Sequence, residues 1–287
     1  MQGLMMNMPL LISSVMEHAE RHHPHAEIVS RRTEGDIHRT TYGKVAKRTK
    51  QLANTLTALG VQQGENIATL AWNGYRHVEI YYAVSGMGAV VHTLNPRLFP
   101  EQLVYIINHA KDTMVFFDST FAPLVKAIAP ACPTVKRWVQ MCDEAAMPAE
   151  PAVAGCLNYE ALIKDASEQY VWPQLDENAA SGLCYTSGTT GNPKGALYSH
   201  RSTVLHAMAA CTPDALGLSS RDTILPVVPM FHVNAWGIPY IALMTGAKMV
   251  MPGGALDGAS IYELLESEKV NFSAGVPTVW LGLLNHV

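Results

Sequence analysis

Apolar residues recur along this chain in two rhythms that take turns. Short apolar runs of four to six residues predict strands. Stretches where apolar residues return every three or four positions predict helices with one face in a core. Strands are expected at Asn66–Ala71, Ala89–Thr93, Met114–Phe117, Trp138–Met141, Gly182–Tyr185, Lys248–Met251 and Asn271–Ser273. Helices are expected at Leu11–His22, Tyr42–Leu59, His77–Met87, Pro100–His109, Thr203–Cys211, Ser260–Glu266 and Thr278–His286. The second of these begins after a capping residue, Thr41, and stops at Gly60, with Val45, Leu52, Leu56 and Leu59 on one face. Ala145–Gly155, rich in Ala and Pro, reads as a loop, and no internal repeat stands out. Strands alternating with helices point to an α/β fold built on parallel sheet.

Composition narrows the picture. With 287 residues, 48% of them hydrophobic, the chain can bury the core of one or two domains. A net charge of −4, with no basic run longer than Arg31-Arg32, gives no reason to expect nucleic acid. The most apolar long stretch, Ile224 to Met251, is broken by Pro226, Pro229, Pro239, His232, Asn234 and Lys248. It reads as buried strands and helix, not as a membrane span. The first residues, Met1-Gln-Gly-Leu-Met-Met, lack the basic start of a secretory signal. Five cysteines without a Cys-x-x-Cys pair read as buried hydrophobes in a reducing compartment, so the cytoplasm is expected.

The candidate chemistry lies in Tyr185-Thr-Ser-Gly-Thr-Thr-Gly-Asn-Pro-Lys-Gly-Ala-Leu-Tyr-Ser-His200. Within it fall three glycines (Gly188, Gly191, Gly195), four hydroxyls (Thr186, Ser187, Thr189, Thr190) and one cation, Lys194. Glycines let the backbone approach a ligand, and successive free N–H groups make an anion cradle. Hydroxyls add donors or a magnesium ligand, and Lys194 adds charge that follows a polyphosphate. An apolar strand leads in and a helical pattern follows from about Ser199, the setting in which α/β folds present a phosphate loop. A nucleoside triphosphate is the expected ligand. The commoner Gly-x-x-x-x-Gly-Lys-Ser/Thr loop is excluded, because Asn192 and Pro193 separate Gly191 from Lys194 and Gly195 follows.

At these residues the chain resembles the adenylate-forming superfamily of acyl-CoA synthetases, peptide-synthetase adenylation domains and beetle luciferases. The resemblance runs from about Met8 to Val287 and includes Thr41-Tyr42, Asn95-Pro96 and Val228-Pro-Met-Phe-His-Val-Asn-Ala-Trp-Gly237. Within the superfamily it is most similar to fatty-acyl-CoA synthetases, which join a carboxylate to AMP with release of pyrophosphate and pass the acyl group to coenzyme A. It implies ATP, Mg2+ and coenzyme A. Thr186 would help hold magnesium and the phosphates, while Ser187, Gly188, Thr189, Thr190, Gly191 and Lys194 would enfold the β- and γ-phosphates. It also implies two sheet-centred lobes with flanking helices, one of residues about 60–215, the other of about 20–60 plus 220–287. The chain would then be an incomplete N-terminal domain. It stops within an apolar helical pattern, and the superfamily's adenine-binding segment and mobile C-terminal domain have no counterpart in it. A homodimer is the candidate assembly.

His232 and Trp236 stand four apart, so on a helix they would share one face. A neutral imidazole there could steer the carboxylate to the α-phosphate, making His232 both the catalytic candidate and a substrate contact. The resemblance makes Trp236 the gate of an acyl pocket. Gly275, Val276 and Pro277 read as pocket wall and, equally, as a helix start with Pro277 in the first turn. Peptide-synthetase domains carry an aspartate where His232 stands, and an amino acid's ammonium would lack a counter-ion here. A simple carboxylic acid is therefore expected. The alternatives are short or medium acids such as 3-methylthiopropionate, or a fragment that only binds nucleotide. His18, His22, His23 and His25 read as a solvated helix end. His200 either contacts phosphate or caps the next helix. Tyr75, His77 and Glu79 read as a core helix start, and Cys184 as a buried thiol.

Overall fold

The computed structural model describes residues 1, 3–186 and 192–287. In chain order the first elements are α1 (Ile12–His22), β1 (Glu27–Arg31), β2 (Ile37–Thr41), α2 (Tyr42–Ala58), β3 (Asn66–Leu70), α3 (Tyr75–Gly86) and β4 (Val90–Thr93). There follow α4 (Pro100–Ala110), β5 (Met114–Asp118), α5 (Ala122–Ile128), β6 (Arg137–Met141), β7 (Leu157–Asn158), α6 (Tyr159–Ile163) and β8 (Ala180–Tyr185). The chain continues through β9 (Gly195–Ser199), α7 (His200–Ala210), β10 (Thr223–Pro226), α8 (Ile238–Thr245), β11 (Lys248–Met251), α9 (Gly258–Ser267), β12 (Phe272–Ala274) and α10 (Pro277–Leu284).

These strands form two sheets. One has the order β7-β6-β5-β3-β4-β8-β9, parallel except for the β8–β9 hairpin. The other has the order β12-β10-β11-β1-β2, parallel except for β1–β2. Period-two alternation places each strand's residues in two layers. Ile28, Ile67, Phe116, Ile224 and Met249 enter one inner core, which also holds Met16 of α1, Leu52 of α2, Tyr82 of α3 and Ile241 of α8. Their neighbours face outward: Ala68 and Phe117 toward α4 and α5, and Val29, Leu225 and Val250 toward α9. The strand interiors are apolar on both faces, as parallel sheet covered by helices requires.

A charged clasp ties the sheets together. Arg76 of α3, 7% exposed, donates to Glu34 (2.7 Å), Asp143 (2.6 Å) and Glu160 (2.7 Å). Arg48 of α2 pairs with the fully buried Glu79 and with Glu160, and Tyr159 donates to Glu79. Each buried charge has an opposite partner, the condition under which such groups are tolerated. The helix start at Tyr75–Glu79 is thus core, as the sequence implied.

Two buried histidines give the fold a pH dependence. Burial lowers His77 in α3 and His200 in α7 to about 4. The unfolded chain therefore binds protons below about 6.5 that the folded chain refuses, and stability falls on acidification toward pH 4. Each such histidine loses about 1.4 kcal/mol per pH unit over that window. Asp118 acts oppositely, since burial raises its carboxyl to about 7. Urea unfolding at pH 6.5 and 5.0 isolates one histidine. The variant His200→Gln is expected to lose about 2 kcal/mol less than the wild type between those pH values. Equal slopes would show that His200 does not resist protonation in the fold.

Candidate active site

The glycine- and hydroxyl-rich run falls between β8 and β9. Tyr185 pairs with Gly195 across that hairpin, and Thr186 N–H donates to the Lys194 carbonyl at 2.9 Å. Thr186 and Lys194 are both exposed and face each other at its end. The sequence-predicted residues Ser187, Gly188, Thr189, Thr190 and Gly191 lie outside the described residues. One feature differs from the expected strand, loop and helix. The five residues of β9 separate Lys194 from α7. At ~3.3 Å per residue, the α7 N-terminus stands about 16 Å along the chain from the loop. Among the described residues, Lys194 at the hairpin end is a nearer source of positive charge than that helix dipole.

His200 does not fill either role considered for it as a cap or a free phosphate contact. Ser199 caps α7, accepting from Ser202 N–H at 3.0 Å. The His200 ring is buried, and its Nδ1 accepts from Ile12 N–H at 3.3 Å. That bond and the Leu10 N–H bond to Glu177 (2.8 Å) fasten the N-terminal segment beside α7.

The second group of residues follows β10. Asn73, 4% exposed and just past the C-terminal end of β3, holds this segment in place. Its amide donates to the carbonyls of Pro226 (2.8 Å) and Val228 (2.9 Å) and accepts from Met230 N–H (2.7 Å). The chain then enters a left-handed turn, with φ of 49°, 49°, 51° and 55° at Val233, Asn234, Ala235 and Trp236, closed by Gly237 at 77°. The expectation of an ordinary helix carrying His232 and Trp236 on one face is therefore corrected. Non-glycine residues disfavour this region because Cβ crowds the following carbonyl, at roughly 1–2 kcal/mol per residue. Local bonds hold the turn. Ala235 N–H donates to the Pro229 carbonyl at 3.2 Å. His206 Nε2–H of α7 reaches the Trp236 carbonyl at 3.0 Å. The Asn234 amide lies between Tyr81 (3.2 Å) and the Cys184 thiol (3.5 Å).

That last contact brings the two groups together. Cys184 lies two residues before Thr186, and Asn234 two residues after His232. Cys184 is buried, also touches Thr93 at 3.3 Å, and burial pushes its thiol up. It is an inert strut, as the sequence suggested. His232 is exposed and its ring makes no hydrogen bond to the described residues. Arg97, beyond β4, stacks over the neighbouring Phe231 ring at 5.7 Å.

Beside the turn lies a cavity of about 340 Å3. Trp236, 44% exposed, stands in its wall with Val233, Tyr240 of α8, Tyr198 of β9, and Thr203 and His206 of α7. Periodicity did not mark Tyr198, Thr203, His206 or Tyr240, because they come from three elements that only the tertiary fold brings together. Gly275, Val276 and Pro277 lie outside this lining. Val276 precedes α10 and Pro277 is its first residue, which is the helix-start reading. Gly275 is kept small by Trp280: an added Cβ would sit 3.0 Å from its ring, and the Gly275 carbonyl accepts from the Trp280 indole at 3.1 Å.

Comparison with known proteins places this geometry. A family model described as AMP-binding enzyme matches residues 16–287. The chain is 54% identical over 284 residues to a medium-chain-fatty-acid–CoA ligase of Ectopseudomonas oleovorans, covering 99% of this chain and 52% of that protein. It is 54% identical over 288 residues to a 3-methylmercaptopropionyl-CoA ligase of Ruegeria lacuscaerulensis, covering 100% and 53% respectively. Its fold matches the crystal structure of the anthranilate CoA ligase AuaEII in complex with anthranoyl-AMP, with a TM-score of 0.87 at 21% identity, over 99% of this chain and 53% of that one. The chain thus spans about half the length of the relatives it matches. Among the described residues, no helix is long and apolar enough to cross a membrane.

Proposed function

As this chain belongs to the AMP-binding enzyme family, we propose that it carries the nucleotide and acid sites of a ligase that activates a carboxylic acid with ATP and passes the acyl group to coenzyme A. The observation that carries this reading is the Cys184–Asn234 contact, which seats the loop stem against the turn bearing His232 and Trp236. A carboxylate held at His232 would attack the α-phosphorus of ATP as pyrophosphate leaves toward Thr186 and Lys194. The thiol of coenzyme A would then attack the acyl carbon and release AMP. Such chemistry rests on positioning and charge neutralisation, with little covalent work for the protein.

The exposed Thr186 hydroxyl is a hard oxygen donor of the kind Mg2+ accepts alongside phosphate oxygens and water. It would hold the ion, which neutralises charge on the phosphates when bound. Gly275, Val276 and Pro277, outside the cavity beside Trp236, would contribute a further part of the acid site from the β12 side. We extend the proposal to two lobes of residues about 60–215 and about 20–60 plus 220–287. It also includes a homodimer and a cytoplasmic location, the last supported by five unpaired cysteines. The two relatives at 54% identity, named for medium-chain acids and 3-methylmercaptopropionate, favour a short or medium acid over the long-chain acids of a Thermus thermophilus relative at 48%.

Acid-dependent exchange of pyrophosphate into ATP tests this directly. Exchange is expected with a maximum among acids of short to medium length. A protein that binds MgATP yet exchanges with no acid would replace this reading with that of a nucleotide-binding module. Exchange greatest with palmitate would overturn the size assignment.

A further inference from the structure

The wall of the Trp236 cavity contains three buried polar side chains: Thr203, Asn234 and Tyr240. Two are already bonded. Thr203 donates to the Ser199 carbonyl at 3.0 Å, and the Asn234 amide lies between Tyr81 and Cys184. Tyr240 is different. It is 3% exposed, its ring packs against Tyr81 (6.0 Å) and Tyr82 (5.6 Å) of α3, and its hydroxyl makes no hydrogen bond to the described residues. Its neighbours are spent elsewhere: Tyr82 donates to the Pro239 carbonyl and Tyr81 to that of Met230. Tyr240 lines the cavity, so a hydroxyl that no described residue engages is open to a group bound there.

Resting on the acid-activation reading above, we propose that Tyr240 is a specificity-determining residue. Its hydroxyl donates to an oxygen or sulfur within the acyl chain, so the site favours carboxylic acids bearing a hydrogen-bond-accepting heteroatom over plain alkyl acids of equal length. Burial pushes the phenol up, so it remains a neutral donor at working pH. An alkyl chain entering the cavity displaces water from that hydroxyl and offers nothing in return. A heteroatom at the right position restores the bond. Discrimination of this kind is large, because the unpaired group on the protein penalises the wrong ligand. Packing against Tyr81 and Tyr82 of α3 holds the ring, and with it the donor, in place.

Isosteric pairs of acids test the assignment, with binding measured by calorimetry on the whole chain. Pentanoate is compared with 3-(methylthio)propanoate, and heptanoate with 3-propoxypropanoate and its positional oxa-isomers. At least one heteroatom acid is expected to bind the wild type about tenfold more tightly than its alkyl partner. Tyr240→Phe, which keeps the ring, is expected to remove that advantage while binding the alkyl acid as well as or better than before. If alkyl acids bind the wild type as tightly as every heteroatom partner, the proposal fails, whatever the variant does. An advantage that survives in Tyr240→Phe also overturns it, by moving the donor elsewhere. Binding of no acid at all would overturn the acid-activation reading itself. The two failures are therefore distinguishable.

Discussion

Asn73→Ala is expected to lower the stability of the fold by about 4 kcal/mol, because one side chain satisfies three buried backbone groups. Its amide serves the Pro226 and Val228 carbonyls and the Met230 N–H. Alanine leaves all three without a partner where water enters poorly, and an orphaned buried group costs roughly 1–3 kcal/mol. A domain whose whole margin is about 5–15 kcal/mol would lose a large share of it. The loss is expected as a lower urea midpoint with unchanged slope. Asn73→Asp keeps the acceptor for Met230 but sets oxygen against two carbonyls, and is expected to lose at least as much. Because Asn73 anchors the segment that leads into His232 and Trp236, acid binding in Asn73→Ala should weaken more than MgATP binding. A loss below about 1 kcal/mol would mean that water or relaxation replaces all three bonds.

Much of the fold is legible in the sequence where one residue pattern suffices. The strands around Asn66–Leu70, Met114–Asp118 and Lys248–Met251 are apolar runs that parallel sheet buries on both faces, and Thr41 caps α2 as its type predicts. Other elements carry no such mark. In β2, Ile-His-Arg-Thr-Thr has one buried residue, Thr40, and becomes a strand through its ladder to β1. The strand β9 was hidden inside the glycine-rich run, and exists because Gly195–Ser199 pairs with β8. The β10 run ends at Pro226, which cannot donate to a ladder, and its partners are the distant β11 and β12.

The site divides in the same way. Trp236 was found by resemblance and does line a cavity. The turn that presents it was not legible, because Val233, Ala235 and Trp236 are residues that ordinarily avoid positive φ. Gly237 and Asn234 were the available signals, one permissive at positive φ and the other tolerant of it. Helical spacing misled here: His232 and Trp236 are four apart, but the backbone between them winds the other way. Asn73 had a weaker signal, an amide directly after the apolar run Ile67–Trp72. A polar group at a buried strand end needs partners, and only the second sheet could supply them.

Lys194→Ala is expected to weaken MgATP binding about 100-fold, the loss typical of a charge-assisted contact to phosphate, and to slow pyrophosphate exchange about 100- to 1,000-fold. The geometry makes the effect large, because little else at the hairpin end can replace the charge. The α7 N-terminus is a strand's length away and its donors are capped by Ser199. Arg97 is engaged with the Phe231 ring. Lys194 is exposed and makes no ion pair among the described residues, so its removal should leave the urea midpoint unchanged. That separation of binding from folding makes the experiment decisive. Lys194→Arg, which keeps the charge but spreads it over a planar fork, is expected to recover part of the binding and less of the exchange. Its charge can still find a phosphate, while the point geometry that follows the departing pyrophosphate is lost. Wild-type MgATP affinity in Lys194→Ala would detach the cation from the phosphates and leave the hydroxyls and backbone of the loop to carry them alone.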